Sequence, residues 1–329
     1  MLDNTKKNVG QCKTVADGLQ VENCFAGFPF PFPKTGSEVM WNRLWKFDAF
    51  MIESAGMTGT VVDTQGNRTV TGIGKMWIEY PIYNPAKTTP VALNETYGRI
   101  RIDYTDPPRK AGEKLIVLDG VDMVGVGRKA FSYLPGQRRV KLAPDIAYDT
   151  PSPTGGGAGT VDEAAVWYGS LDRYNFKLIG KKEMYIPYNS YKLDSPSLKY
   201  DDVIKAGHIN QDLARYELHR VWEVVGTVKP SERHIYAKRH MYFDEDSWQA
   251  ALVDHYDGRG QLWRVAEGHA QFYYDHQNPG YTLEALYDII AGRYIALGMK
   301  NEEKHSYEYG FEARAADYTP AALRSEGVR

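Results

Sequence analysis

Charged and aromatic residues alternate between residues 213 and 274, and they are the strongest candidates for chemistry in this chain. Arg220 and Arg239 stand among Trp222, Met241 and Phe243. An arginine can hold a carboxylate or phosphate through paired hydrogen bonds, while aromatic and thioether side chains surround an apolar tail. The pattern therefore allows either a buried ion-pair network or a site for a ligand with an anionic head group.

Two acids are candidates to neutralise these arginines. Asp254 and Glu267 alternate with Trp248 and Trp263 on a second predicted hairpin, and they could meet Arg220 and Arg239 across the interior. Because an unpaired buried charge costs several kcal/mol, a structural ion pair is the simpler interpretation. The alternative, ligand binding, has as its candidates Arg220, Arg239, Trp222, Met241, Phe243, Trp248 and Trp263.

Common catalytic motifs are absent from the sequence. There is no Gly-x-Ser-x-Gly, no His-Glu-x-x-His and no phosphate loop, and Gly125-Val126-Gly127 lacks the third glycine of a dinucleotide fingerprint. All eight histidines follow residue 207, and three of them fall on a predicted solvated face. We therefore predict no catalytic residue, no metal site and no cofactor.

These residues require two long antiparallel hairpins to position them. The first runs over 214–228 and 233–243, and the second over 248–257 and 260–274. Pairing Val228 with Arg233 places Arg220 and Arg239 together on the core-like face. The same register places Glu223 opposite Lys238 on the solvated face.

The rest of the chain has the spacing of an antiparallel meander. We predict shorter strands at 59–62, 69–73, 97–104, 114–118, 130–134, 139–142 and 176–188. Ser37 is predicted to cap a helix over 37–48, since Trp41, Leu44 and Trp45 form one apolar stripe. A flexible Gly/Pro-rich loop is expected near 149–160. This pattern predicts a mainly β (α+β) domain.

The first 36 residues have a different composition. Phe and Pro alternate over 25–36, which favours an extended strap that seals the domain surface or binds a partner. Cys12 and Cys24 could form a disulfide in an oxidising compartment or remain free thiols. We predict an extended segment over 1–36 and a single domain over 37–329.

Charge and hydropathy exclude some classes of function. The 329 residues carry a net charge of −2, so a nucleic-acid partner is disfavoured. No apolar run approaches the roughly 20 residues that a membrane-spanning helix needs. Residues 1–7 lack the apolar core of a signal peptide, so the protein is cytosolic or its signal has been removed.

Several motifs together resemble one known family, the domain-of-unknown-function family 1329 of Gram-negative bacteria. They are Phe28-Pro29-Phe30-Pro31, Glu38 with Trp41-Asn42, 133–139 (YLPGQRR), 182–189 (KEMYIPYN), 215–222 (RYELHRVW) and 244–248 (DEDSW). The resemblance implies export with a signal peptide that is removed, and a periplasmic or outer-membrane-associated location. Many members of the family are encoded near RND-type exporters and outer-membrane β-barrel proteins. The resemblance therefore also implies such proteins as partners.

The same resemblance implies a fold similar to that of the periplasmic lipoprotein carriers LolA and LolB. We therefore expect one open antiparallel half-barrel, with the concave face covered by the helix at 37–48 and by loops near 149–170 and 275–298. The predicted function is non-catalytic: binding an apolar or amphipathic, lipid-like molecule and passing it between envelope components. The alternatives are an outer-membrane assembly factor and an envelope enzyme that uses Arg, His and acidic residues in the cavity.

Overall fold

Sixteen strands and four helices make up the described part of the protein, a computed structural model that describes residues 1–143, 148–153, 155–303, 307–309 and 314–327. The strands are β1 (Lys13–Val15), β2 (Gln20–Glu22), β3 (Met51–Val62), β4 (Arg68–Glu79), β5 (Thr96–Asp106), β6 (Lys114–Gly120), β7 (Arg128–Leu134), β8 (Arg139–Leu142), β9 (Tyr174–Pro187), β10 (Tyr216–Val228), β11 (Lys238–Asp244), β12 (Ala250–Tyr256), β13 (Leu262–Tyr273), β14 (Asn278–Asp288), β15 (Arg293–Met299) and β16 (Tyr307–Tyr309). The helices are α1 (Leu2–Asn8), α2 (Gly36–Leu44), α3 (Tyr200–Val203) and α4 (Pro320–Gly327). Short 3₁₀ turns lie at Ala16–Gly18, Pro81–Tyr83, Pro135–Gln137, Val161–Glu163, Tyr191–Asp194 and Ala315–Tyr318.

Fourteen strands form one antiparallel sheet. Its order is β8-β7-β6-β5-β4-β3-β15-β14-β13-β12-β11-β10-β9, with β16 added beside β3. Within the described residues β8 and β9 do not pair with each other, so the sheet is open. The fold class predicted from the sequence is confirmed.

The order of the strands explains why a long connection crosses the sheet. The chain winds outward from β3 to one edge at β8, and it then starts again at the other edge with β9. The intervening segment must span the sheet, and its residues Ala158, Val166, Trp167 and Leu171 pack into the core on one face. We call that face of the sheet the inner face, and residues 155–171 the roof segment.

The first long hairpin has a different register from the predicted one. Val224 pairs with Met241 and Trp222 with Phe243, which moves each partner by four residues from the predicted register. Glu223 accordingly faces Tyr242 and not Lys238. Because side chains alternate with period two, a shift of four residues leaves the side chains of β10 and β11 on their predicted faces. The physical reason for the shift is the longer connection between the strands, which ends only at β11. The prediction of a solvated face is wrong for His234, which precedes β11: its side chain is completely buried and contacts Asp162 at 3.3 Å.

Helix α2 packs on the inner face. Its N-cap is Thr35 and not Ser37, since Thr35 and Glu38 form a reciprocal capping box. Trp41 and Trp45 of this segment are almost completely buried. The helix ends at Leu44, four residues before the predicted end.

The N-terminal 36 residues are not extended throughout. They contain α1 and the β1–β2 hairpin, and a disulfide joins Cys12 and Cys24. Both cysteines belong to the same core cluster as α2. In the Phe-Pro strap Phe30 is buried, whereas Phe32 is 79% exposed, so the strap only partly seals the domain.

The outer face of the sheet has its own cover. Residues between 193 and 213 pack on β3, β14 and β15, and Tyr318 with Leu323 of the C-terminal segment packs on β6 and β7. Residues 275–298, expected as a covering loop, mostly form β14 and β15 inside the sheet. No helix in the described residues is both long and apolar enough to cross a membrane.

Candidate functional site

A cavity of about 250 Å³ lies between the inner face of the sheet and the roof segment. Strands β3 to β6 form its wall, and β7, β14 and β15 contribute one residue each. The C-terminal end of α2 and residues 152–168, apart from 154, cover it. The volume of the cavity is close to the lower end of the range of volumes for sites that bind small molecules.

The wall of the cavity is apolar. Two cross-strand rows of side chains on β4, β5 and β6 line it: Ile78, Ile100 and Val117 in one row, and Met76, Ile102 and Leu115 in the other. Ile78, Ile100, Met76 and Leu115 are only partly buried, although they lie on the covered face. Their exposed surface faces the cavity, which makes it available to a ligand.

Tyrosines border the apolar wall. Tyr80, Tyr97, Tyr104 and Tyr168 all line the cavity, and the rings of Tyr97 and Tyr168 stack with centroids 6.2 Å apart. Tyr168 donates a hydrogen bond of 2.9 Å to Asp119. This rim combines flat apolar surfaces with a few fixed polar groups, as ligand sites commonly do.

Buried polar contacts hold the roof segment on the sheet. Arg239 donates two hydrogen bonds of 2.7 and 2.9 Å to Asp162. Burial would raise the pKa of Asp162, but the charge of Arg239 and hydrogen bonds from His234 and Arg239 outweigh it and hold that pKa well below its usual range. Next to it, Tyr236 donates to Glu163 at 2.7 Å.

One end of the cavity is polar. Arg43 and Asp48 line it from the α2 side, and Glu284 lines it from β14. Lys46 forms an ion pair with Asp48. Burial lowers the pKa of Lys46 to about 8 and raises that of Glu284 to about 7.

Arg43 and Glu284 also hold a strained turn of the roof segment. Ala165 and Val166 have φ values of 50° and 66°, a region that is costly for residues other than glycine. Arg43 donates a hydrogen bond of 2.5 Å to the carbonyl of Ala165, and the amide of Val166 donates one of 3.0 Å to Glu284. The turn is therefore fixed from both sides of the cavity.

The seven ligand-binding candidates from the sequence lie elsewhere, and none is among the residues that line this cavity. Met241, Phe243 and Trp248 are core residues, and Trp222 stacks on Trp248 with centroids 5.9 Å apart. Trp263 packs against Tyr236. The cavity therefore gives no support to ligand binding by these residues, which remains a prediction from the sequence.

The two predicted arginines differ from each other. Arg239 is completely buried, as expected for an embedded ion pair. The side chain of Arg220 is 61% exposed and pairs with Glu245 at 2.5 Å. The prediction that both arginines are embedded is thus wrong for Arg220, which lies beyond the last residue pair of β10 with β11, Val221 with Asp244.

The predicted acidic partners are also corrected. Asp254 stands opposite His240, and Glu267 stands opposite Leu252. Alternation along the strands therefore puts both acids on the face opposite to Arg239. The partner of Arg239 is Asp162 of the roof segment. Because Asp162 is 77 residues away in the chain, the sequence around the hairpin gives no sign of this pair.

Sequence reasoning missed Arg43 and Glu284. One signal was available for Arg43: Met40, Trp41, Leu44 and Trp45 surround it on α2, so little of the helix is left to face water. Glu284 had no such signal, because its strand was predicted as a loop.

One group of side chains has the composition of a metal site. Ligand atoms of His219, Asp244 and Asp246 lie within 4.8 Å of one another. However, Asp244 already accepts two hydrogen bonds from Ser247 and contacts His219 at 3.0 Å. These contacts explain the cluster as part of the turn that follows β11.

Comparisons with known proteins agree with the architecture. The profile of the family described as "Protein of unknown function (DUF1329)" matches residues 1–324. "Uncharacterized protein PA3922" of Pseudomonas aeruginosa is 49% identical over 327 residues, which are 98% of this chain and 70% of that protein.

Two crystal structures have a similar fold at 11% sequence identity. The first, an outer membrane lipoprotein-sorting protein domain from Vibrio parahaemolyticus, superposes with a TM-score of 0.58 over 87% of this chain and 97% of that one. The second, a DUF1329 family protein from Desulfovibrio piger, has a TM-score of 0.50 over 84% and 92% of the two chains. At this identity they show the fold alone.

Proposed function

Because this chain belongs to the DUF1329 family and shares the fold of the Vibrio lipoprotein-sorting domain, we propose that it is a non-catalytic carrier. Its ligand is an apolar or amphipathic, lipid-like molecule, and its compartment is the periplasm. The disulfide between Cys12 and Cys24 supports an oxidising compartment.

The observation that carries the proposal is the cavity with its half-buried aliphatic wall. Apolar surface that leaves water contributes roughly 25 cal/mol per Å². The rows of Ile, Met, Leu and Val on β4–β6 supply such surface inside the fold. A ligand that covers them gains binding free energy without a covalent step, so uptake and release can be reversible.

The proposed protein partners have less support than the proposed ligand. An RND-type exporter and an outer-membrane β-barrel protein stay predictions from the family resemblance. The alternative function, an enzyme, predicts that the bound molecule is released in a chemically altered form. A carrier releases its ligand unchanged.

A cavity-filling variant tests the proposal. Ile100 lies in the middle of its cross-strand row, between Ile78 and Val117, so Ile100→Trp should fill the cavity. The control is Ile179→Trp at an exposed position of β9. We expect the wild type and the control to bind a fluorescent fatty acid, and Ile100→Trp to bind it at least about 10-fold more weakly, as the loss of about 1.4 kcal/mol implies.

Two results would contradict the proposal. If the wild-type protein takes up no fluorescent fatty acid, the cavity does not bind a lipid-like molecule as proposed. Mass spectrometry of the released ligand that finds it cleaved or modified would favour the enzyme.

A further inference from the structure

Arg43 is a buried cation without a matching anion. Only 2% of the residue is exposed. Its described hydrogen bond goes to the carbonyl of Ala165, and its Nε has no partner. A buried guanidinium in this condition is costly unless an anion pairs with it.

The neighbouring charges do not supply that anion. Asp48 is paired with Lys46. One oxygen of Glu284 accepts the amide of Val166, and its pKa of about 7 leaves this carboxyl about half protonated at neutral pH. The two cations, Arg43 and Lys46, thus face the carboxylate of Asp48 and a carboxyl of Glu284 that is only partly ionised.

The position of Arg43 joins this charge to the apolar wall. Arg43 and Glu284 line the same cavity as Ile78, Ile100 and Leu115. A molecule in this cavity therefore meets aliphatic side chains and the guanidinium of Arg43, because Arg128, which also lines the cavity, is already paired with Asp119 at 2.7 and 3.0 Å. We infer that the ligand is an anionic amphiphile, whose carboxylate or phosphate Arg43 binds while its chain covers the aliphatic wall.

Arg43 thereby takes the role that the sequence suggested for Arg220. Glu284 assists when it is protonated, since a neutral carboxyl can donate a hydrogen bond to the bound anion. The inference rests on the proposed function, because it requires that the cavity binds an amphiphile at all.

The experiment compares three probes of equal chain length: palmitate, methyl palmitate and hexadecyltrimethylammonium, each below the concentration at which it aggregates. Each competes with a fluorescent fatty acid for the wild type, Arg43→Met and Arg220→Met. Arg220→Met is the matched control, because it removes an exposed arginine outside the cavity. Acetate and inorganic phosphate test whether an anion without a chain competes.

We expect the wild type and Arg220→Met to prefer palmitate over methyl palmitate by about 10- to 100-fold, the range for a charge-assisted hydrogen-bonded pair. Arg43→Met should lose this preference while it still binds methyl palmitate. Retained binding of the neutral ester also shows that the variant is folded. Arg43→Lys, which keeps the charge but not the fork of donors, should have an intermediate preference.

Other outcomes overturn the inference in distinguishable ways. An unchanged preference in Arg43→Met would remove Arg43 from head-group binding. Tighter binding of the ammonium probe by the wild type would assign the head group to Asp48 and Glu284. Competition by acetate or phosphate alone would indicate a free-anion site, and a wild type that binds none of the three probes would overturn the proposed function as well.

Discussion

Asp162 and Arg239 are 77 residues apart in the chain, yet two hydrogen bonds of 2.7 and 2.9 Å join their side chains. The pair connects the roof segment with β11. Both side chains are buried, so neither charge has water as an alternative partner. The pair is therefore one of the contacts between distant parts of the chain that hold the roof of the cavity, together with Tyr236–Glu163 and Val166–Glu284.

Replacing Arg239 should destabilise the protein strongly. Arg239→Ala leaves Asp162 buried without its partner, and we expect a loss of about 3–5 kcal/mol in the free energy of unfolding. Arg220→Ala removes an arginine from the same hairpin whose side chain is 61% exposed, so its loss should stay below about 1 kcal/mol. Urea unfolding followed by tryptophan fluorescence measures both, and similar losses would contradict the assigned role of Arg239.

The strained turn predicts a stabilising substitution. Ala165 has a φ of 50°, which glycine adopts without the steric cost that a Cβ brings. Ala165→Gly should raise the free energy of unfolding by up to about 1 kcal/mol. The preceding Ala164 has a φ of −58°, so Ala164→Gly should lower it by about 0.5–1 kcal/mol. Equal effects of the two substitutions would mean that the turn is not strained.

Glu284 should make stability depend on pH. Its pKa is about 7 in the folded protein against 4.5 ordinarily, so between these values the folded state holds a proton that the unfolded state has lost. Its contribution is thus complete below pH 4.5 and is lost as the pH rises through 7. Glu284→Gln cannot ionise and still offers an oxygen to the amide of Val166.

The measurement is the difference in unfolding free energy between Glu284→Gln and the wild type. It should grow in favour of the variant from pH 5 to pH 8, by an amount on the order of 3 kcal/mol. Lys46, whose pKa is about 8, also loses charge near the upper end of this range, but it does so in both proteins and therefore largely cancels in the difference. A difference that does not change with pH would contradict the burial of Glu284.

Reduction of the disulfide should destabilise the N-terminal segment. Cys12 and Cys24 close a short loop, 12 residues apart, and its opening should cost about 2–4 kcal/mol. A reducing agent should lower the urea midpoint of the wild type to about that of the Cys12→Ser/Cys24→Ser double variant. That variant should not respond to reduction, and an unchanged wild-type midpoint would show that the bond contributes nothing.

Local patterns predicted much of the sheet. The turn at Pro135-Gly136 does join β7 to β8, and the alternation along 214–243 put Met241 and Phe243 on the buried face. This worked even though the register was displaced by four residues. The face to which a strand residue points follows from the period-two alternation along the strand. The register between two strands depends instead on the length of the turn that joins them.

Local sequence patterns were enough to predict the antiparallel strands, the buried face of β10 and β11, and a helix with a tryptophan stripe, whereas the buried face of the second hairpin was predicted wrongly. Hydrophobic period and turn residues act within a few positions of one another, so a single chain displays them. Local patterns did not predict that Asp162 pairs with Arg239, or that Arg43 and Glu284 line one cavity. These contacts join segments far apart in the chain, because the connection from β8 to β9 must cross the whole sheet, and no local spacing records where it comes to lie.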